Sequence, residues 1–196
     1  MTGRTAAIVL AGGRSSRFGR DKLAEPIHGR PMLDHVIERV RTVADDIVVV
    51  GPRSALPDLR PDIDVVDDDR PFEGPLAGVS AGLRALDPGV EAVLVVGGDM
   101  PTLVGDVLRI LADGLARHEA AVLADDGGPR PLPMAVRRSA AAPAAERLLA
   151  DGERRLRALL EQLDVEVIAP SVWNSADPAG GTLRDVDVPE DLPDEA

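Results

Sequence analysis

Thr5-Ala-Ala-Ile-Val-Leu10, continued by Ala11-Gly-Gly-Arg-Ser-Ser-Arg-Phe-Gly-Arg-Asp-Lys22, decides how the rest of the chain is read. An apolar run without alternation suits a strand covered on both faces, the usual state of strands in a parallel sheet. The run closes on two adjacent glycines, where backbone can turn sharply and approach a ligand with no Cβ in the way. Successive N–H groups in such a loop form a concavity that suits phosphate oxygens. Arg14, Arg17, Arg20 and Lys22 stand there against a single Asp21, a cationic island in a chain of formal net charge −12. Guanidinium groups meet phosphate in bidentate geometry. The loop is not a Walker A motif, because no Gly-Lys-Ser/Thr closes it, and it lacks the G-x-G-x-x-G dinucleotide fingerprint. The bland alternative, a Gly-rich turn with surface arginines, requires all these features to coincide by chance.

Outward from this segment, strands and helices alternate. Residues 31–44 carry Met32, Leu33, Val36, Ile37, Val40 and Val43 at helical spacing. Asp46–Val50 and residues 63–66 read as further strands, residues 76–86 as a helix, and residues 92–96 as the clearest strand of all. Helical periodicity resumes over residues 104–117, followed by strands at 120–123 and 132–136. Residues 144–163 hold one long helix or two short ones, with Pro143 in a first turn. Val165–Ile168 and residues 182–186 read as the last strands. The pattern predicts a doubly wound, Rossmann-like three-layer α/β/α fold with a mostly parallel sheet, formed by residues 1–196 as a single domain. Ligands of such sheets sit at the carboxyl ends of strands, which directs attention to residues 10–22, 67–78 and 97–101.

Composition removes several classes of function. The absence of cysteine excludes disulfides, thiolate nucleophiles, Cys-based zinc sites and iron–sulfur clusters. His28, His35 and His118 have no metal-ligand spacing and, with Trp173, read as structural. No apolar run reaches the 18 or so residues of a membrane span, and residues 6–11 are too short for a signal-peptide core, so a cytoplasmic location is expected. The 34 acidic against 22 basic residues argue against nucleic acid or an anionic membrane as partner. With 2% aromatic residues, the core must be built from Val, Leu, Ile and Ala.

Leu-Ala-Gly-Gly-x-Ser-x-Arg-x-Gly-x-Asp-Lys, residues 10–22, resembles the signature loop of the molybdenum cofactor guanylyltransferases and related nucleotidyltransferases. The resemblance extends over nearly the whole chain, but this loop is its specific part. It implies a Mg²⁺-dependent transfer of GMP from GTP to the phosphate of molybdopterin, with pyrophosphate leaving. Leu10, Ala11, Gly12, Gly13 and Lys22 would hold the nucleotide, and Arg17, Lys22 and Asp99 would be catalytic. Gly12 stands where cytidine-using relatives carry alanine, which tilts the reading toward guanine.

Three further segments carry the resemblance. Gly74-Pro-Leu-Ala-Gly78 opens a helix whose first N–H groups are expected to be unpaired. The similar family element implies an upstream aspartate in the nucleotide site, Asp69 first and Asp68 second, and places Gly78 near the acceptor. Asp99, in Gly97-Gly-Asp-Met-Pro101, reads either as a helix N-cap or as a Mg²⁺ ligand, and its likeness to the family's Asp-x-Pro favours the metal. In Asp185-Val-Asp-Val-Pro-Glu-Asp191, strand alternation would put Asp185 and Asp187 on one side. Asp187 would complete the metal site opposite Asp99, Asp185 would face the acceptor, and Asp191 would start a helix. Guanylyltransferases usually carry Asn-x-Asn in this segment, so its aspartates keep cytidylyl transfer, or another phosphorylated acceptor, open. Arg130 and the Gly152-Glu-Arg-Arg155 segment, with Arg154 and Arg155, resemble elements near the acceptor. The family also implies a molybdoenzyme or cofactor-biosynthesis partner. A non-catalytic nucleotide-binding adaptor would be marked by loss of Lys22 or Asp99, and both are present.

Overall fold

In the computed structural model, residues 4–12, 22–67 and 74–192 are described, and β1 (Thr5–Leu10) is an interior strand of their sheet. Gly13, Arg14, Arg17, Arg20, Asp21, Asp68 and Asp69 lie outside the described residues. A small hairpin of β2 (Pro26–Ile27) and β3 (Arg30–Pro31) turns at His28 and Gly29, both at positive φ. It delivers the chain into α1 (Met32–Val40), whose Leu33, Val36, Ile37 and Val40 form the predicted apolar stripe.

The remaining strands are β4 (Asp46–Val50), β5 (Asp64–Val66), β6 (Ala92–Gly97), β7 (Ala120–Asp125), β8 (Gly128–Arg137) and β9 (Val165–Ile168). Among the described residues they and β1 form one seven-stranded sheet in the order β5-β4-β1-β6-β8-β7-β9. Only β8 is reversed, because it returns from β7 as a hairpin. Side-chain alternation divides the core into two layers. Ala7, Val9, Ile47, Val49, Leu94 and Val96 face α1 and α3 (Gly105–Gly114). Ala6, Ile8, Val48, Val50, Val93 and Val95 face α2 (Pro75–Ala85), α4 (Arg138–Ala150) and α5 (Leu156–Leu160). Both layers are mainly aliphatic, with Trp173 in the first, and each fully buried Leu, Ile or Val contributes roughly 1.5–3 kcal/mol of transfer free energy.

Helix α2 lies very close to β1. A Cβ on Gly82 would stand 2.8 Å from three carbons of Ile8, and one on Gly78 would stand 3.1 Å from Leu10. Glycine at these two positions, one helical turn apart, is what permits the approach.

Sequence order departs from β1 in both directions, with β4 on one side and β6 on the other. The crevice between their carboxyl ends is therefore the topological switch point at which such sheets bind ligands. Leu10 and Gly97 are register partners there, and the Gly98 N–H donates to the Leu10 carbonyl at 2.9 Å.

Three expectations need correction. Residues 182–186 are not a strand: both neighbours of β6 are already β1 and β8, so this segment crosses the strand end instead. It forms a 3-10 turn (Gly181–Leu183) entered through Gly180 at φ 65°, with Asp177 accepting the Gly181 and Thr182 N–H groups. Pro143 is not in a first turn, because α4 starts at Arg138 directly from the end of β8; the proline costs the helix interior a hydrogen bond. The single-helix alternative for residues 144–163 fails at Gly152, whose φ of 85° separates α4 from α5.

Candidate active site

Two glycines bring β6 to the crevice, and Asp99 follows them. A Cβ on Gly97 would collide with the Asp99 carboxylate, and one on Gly98 would press the Leu10 carbonyl at 3.2 Å. Glycine at both positions keeps the carboxylate close to the strand end. Asp99 caps no helix: α3 begins after Val104 without a side-chain cap. Its Oδ2 instead accepts from Lys22 Nζ at 3.0 Å, and the same ammonium reaches Asp187 Oδ1 at 3.3 Å. The Lys22 side chain is only 11% exposed, against 33% for Asp99 and 55% for Asp187.

Asp187 reaches this position without a strand. Asp185 and Asp187 are exposed on either side of buried Val186, so the expected alternation survives although the pairing does not. The Val186 N–H donates to the Asp99 carbonyl at 2.9 Å. Asp191, in the 3-10 turn Pro189–Asp191, accepts the N–H groups of Asp187 and Val188 at 2.9 and 3.0 Å. Those donors, with the nearby Lys22 charge, hold the Asp191 carboxyl below its ordinary range.

On the β1 side, Leu10 is half-buried, Ala11 is buried and Gly12 is exposed. The Ala11 N–H is used by the Val50 carbonyl, and a Cβ on Gly51 would stand 2.7 Å from the Ala11 oxygen. Asp67 accepts the Arg53 N–H at 2.9 Å and so ties the loops after β4 and β5. Gly78 is buried beneath Leu10.

The arginines assigned to the acceptor are divided among different partners. Arg130 pairs with Asp125 at 2.8 Å, and Arg155 pairs with Glu153 at 2.6 Å while 74% of its side chain is exposed. Hydrogen bonds from the Arg155 side chain and from the Arg154 and Arg155 N–H groups draw the Glu153 carboxyl down to about 2. Arg154 donates to the Leu149 and Glu153 carbonyls, and its own carbonyl accepts the Leu76 N–H at 3.3 Å. The Ala77 N–H bonds the Gly74 carbonyl. The first turn of α2 is thus partly satisfied by the protein itself, contrary to the expectation of unpaired N–H groups there.

A model of the MobA-like NTP transferase domain matches residues 7–167, which include Lys22, Asp99 and nearly all of the sheet. The chain belongs to this family. A probable molybdenum cofactor guanylyltransferase of Chloroflexus aggregans is 32% identical over 194 residues, covering 95% of this chain and 91% of the relative. One of the same name from Deinococcus radiodurans is 40% identical over 156 residues, covering 77% and 76%. The crystal structure of molybdopterin-guanine dinucleotide biosynthesis protein A from Archaeoglobus fulgidus superposes with a TM-score of 0.77 at 25% identity, over 95% of this chain and 94% of that one.

The donor set of Asp99 and Asp187 would suit a hard divalent cation. Among the described residues no group of three or more His, Cys, Asp or Glu gathers as a metal cage. Two carboxylates that already share one cationic partner match Mg²⁺, which takes one or two carboxylates and fills its other positions with phosphate and water oxygens.

Sequence reasoning missed what fastens the C-terminal segment beside the site. Asp177 and Thr182 are buried, the Val104 N–H donates to Thr182 Oγ1, and Thr102 Oγ1 donates to the Gly181 carbonyl. The signal was present as Asp177-Pro-Ala-Gly-Gly-Thr182, an Asp followed by turn glycines. His35 donates from Nε2 to the Ile27 carbonyl, and buried Trp173 donates to the Ala124 carbonyl, consistent with structural roles.

Proposed function

We propose that this chain transfers a guanylyl group from GTP to the phosphate of molybdopterin in the cytoplasm, releasing pyrophosphate, with Mg²⁺ as cofactor and residues 1–196 acting as one catalytic domain. The observation that carries the reading is the Lys22–Asp99–Asp187 group at the switch point of a MobA-like sheet. The names of the relatives supply the nucleotide and the acceptor class.

Asp99 and Asp187 are the residues that would hold Mg²⁺, which when bound neutralises phosphate charge. Leu10, Ala11 and Gly12, with Gly13 and Asp69, would position the nucleotide, and Lys22 and Arg17 would stabilise charge developing on the phosphates. Arg130, Arg155, Gly78 and Asp185 would line the acceptor side. The bond formed joins an acceptor phosphate oxygen to the α-phosphorus of GTP, and the bond broken releases pyrophosphate. A phosphate monoester is already largely ionised near neutral pH, so no general base is needed. The chain's task is positioning and charge neutralisation, as in phosphoryl transfer generally.

The test is pyrophosphate release from purified protein with Mg²⁺, molybdopterin and, separately, GTP, CTP, ATP and UTP. Preference for GTP supports the reading. Preference for CTP favours the cytidylyl alternative, which Asp185 and Asp187 motivate because guanylyltransferases usually carry asparagine at those positions. Asp99→Asn should fold and lose turnover; wild-type release from that variant would remove the metal assignment.

A further inference from the structure

Lys22 directs two of its three ammonium donors at carboxylates, where a nucleotide-binding lysine would meet phosphate. Its ammonium contacts both Asp99 and Asp187, so the two carboxylate oxygens lie within about 6 Å of one another. Two carboxylates so close repel one another unless a cation stands between them. Lys22 supplies that cation as a compact charge on a flexible four-carbon stem, a group able to change partners. The backbone on the carboxylate side of the contact is fastened. Asp187 is tied through its backbone to Asp191, and Asp99 through its carbonyl to Val186.

We propose that Lys22 is the resident counter-ion of Asp99 and Asp187, and that an entering divalent cation displaces it toward the triphosphate. This rests on the reading that these two aspartates hold the metal. One ammonium leaves the pair with a net negative charge, whereas a divalent cation neutralises it, and the released ammonium gains a more highly charged partner in the triphosphate. Metal and nucleotide then bind cooperatively through one side chain. Each strengthens the other by the same factor, as linkage requires. Loss of pyrophosphate returns Lys22 to the carboxylates and weakens their hold on the metal.

Mn²⁺ uptake without nucleotide, followed by electron paramagnetic resonance and calorimetry, tests the exchange. Lys22→Met should bind Mn²⁺ on the order of tenfold more tightly than wild type, because a competing unit charge about 3 Å away has been removed from a partly solvated pair. Lys22→Gln should do the same, and it serves if the methionine variant does not fold. Unchanged or weaker Mn²⁺ binding in a folded Lys22 variant overturns the proposal. The metal reading is judged separately, with GTP present: Asp99→Asn that still takes up Mn²⁺ as wild type does would overturn that reading.

Discussion

The backbone N–H of Val186 donates to the carbonyl oxygen of Asp99 at 2.9 Å, so the segment carrying Asp187 is hung from the residue that Asp187 faces across Lys22. Val186 itself is buried with Ile27 and Met32, which anchors the segment from its apolar side. The polar half of the site is therefore assembled from three regions far apart in sequence, those of Lys22, Asp99 and Asp187.

Asp191 should matter to metal use through Asp187. Its carboxylate accepts the N–H groups of Asp187 and Val188, so Asp191→Ala releases the turn that presents Asp187. The apparent KM for Mg²⁺ should rise about tenfold, with kcat at saturating Mg²⁺ nearly unchanged, as for other groups that orient a metal ligand. Asp191→Asn, which retains an acceptor, should recover most of the loss. A Mg²⁺ titration of pyrophosphate release checks this, and an unchanged KM in the alanine variant would detach Asp191 from the site.

Gly82→Ala should destabilise the fold without touching the crevice. The added methyl would lie 2.8 Å from Ile8 Cδ1, Cγ1 and Cγ2, in a fully buried layer. Overpacking of this kind costs about 1–3 kcal/mol. Shortening the opposing side chain with Ile8→Ala in the same molecule should recover part of the loss, so the two effects should not add. Urea unfolding of the two single variants and the double variant gives the comparison.

Much of this architecture was legible because burial and periodicity act locally. TAAIVL and DIVVV are strands at the predicted bounds because strands buried on both faces need unbroken apolar runs. The Gly97–Asp99 turn was legible from its position after such a run. The C-terminal segment was not: alternation around Val186 resembles a strand, but whether it pairs depends on which edges of β6 are open, and β1 and β8 occupy both. Nor could spacing reveal that Lys22 and Asp187 share a contact across 165 residues, or that the Arg154 carbonyl caps α2.

The two neighbouring arginines should separate cleanly. Arg154 donates to the Leu149 and Glu153 carbonyls at the end of α4, so Arg154→Ala should cost about 1–2 kcal/mol of stability through lost hydrogen bonds. Arg155 is exposed and held by Glu153, so Arg155→Ala should leave the melting temperature nearly unchanged and raise KM for the acceptor. Thermal melts set beside acceptor titrations decide it, and the opposite pattern would exchange their roles.

Asp177 should give the fold an acid-sensitive component. The carboxylate is buried, which alone would push its proton affinity up, but hydrogen bonds from the Thr182 N–H and hydroxyl and the Gly181 N–H outweigh burial and hold its pKa below the ordinary aspartate range. A depressed carboxyl stabilises the folded state fully above its unfolded value, and that stabilisation is lost as pH falls through the folded value. Asp177→Asn removes the charge while keeping an acceptor, so at pH near 7 it should be less stable than wild type by about 1–3 kcal/mol. The gap should narrow as pH falls below about 4, because wild type then loses what the variant never had. Urea unfolding of both proteins at neutral and acid pH measures the gap directly; a gap independent of pH would mean that Asp177 acts by shape and not by charge.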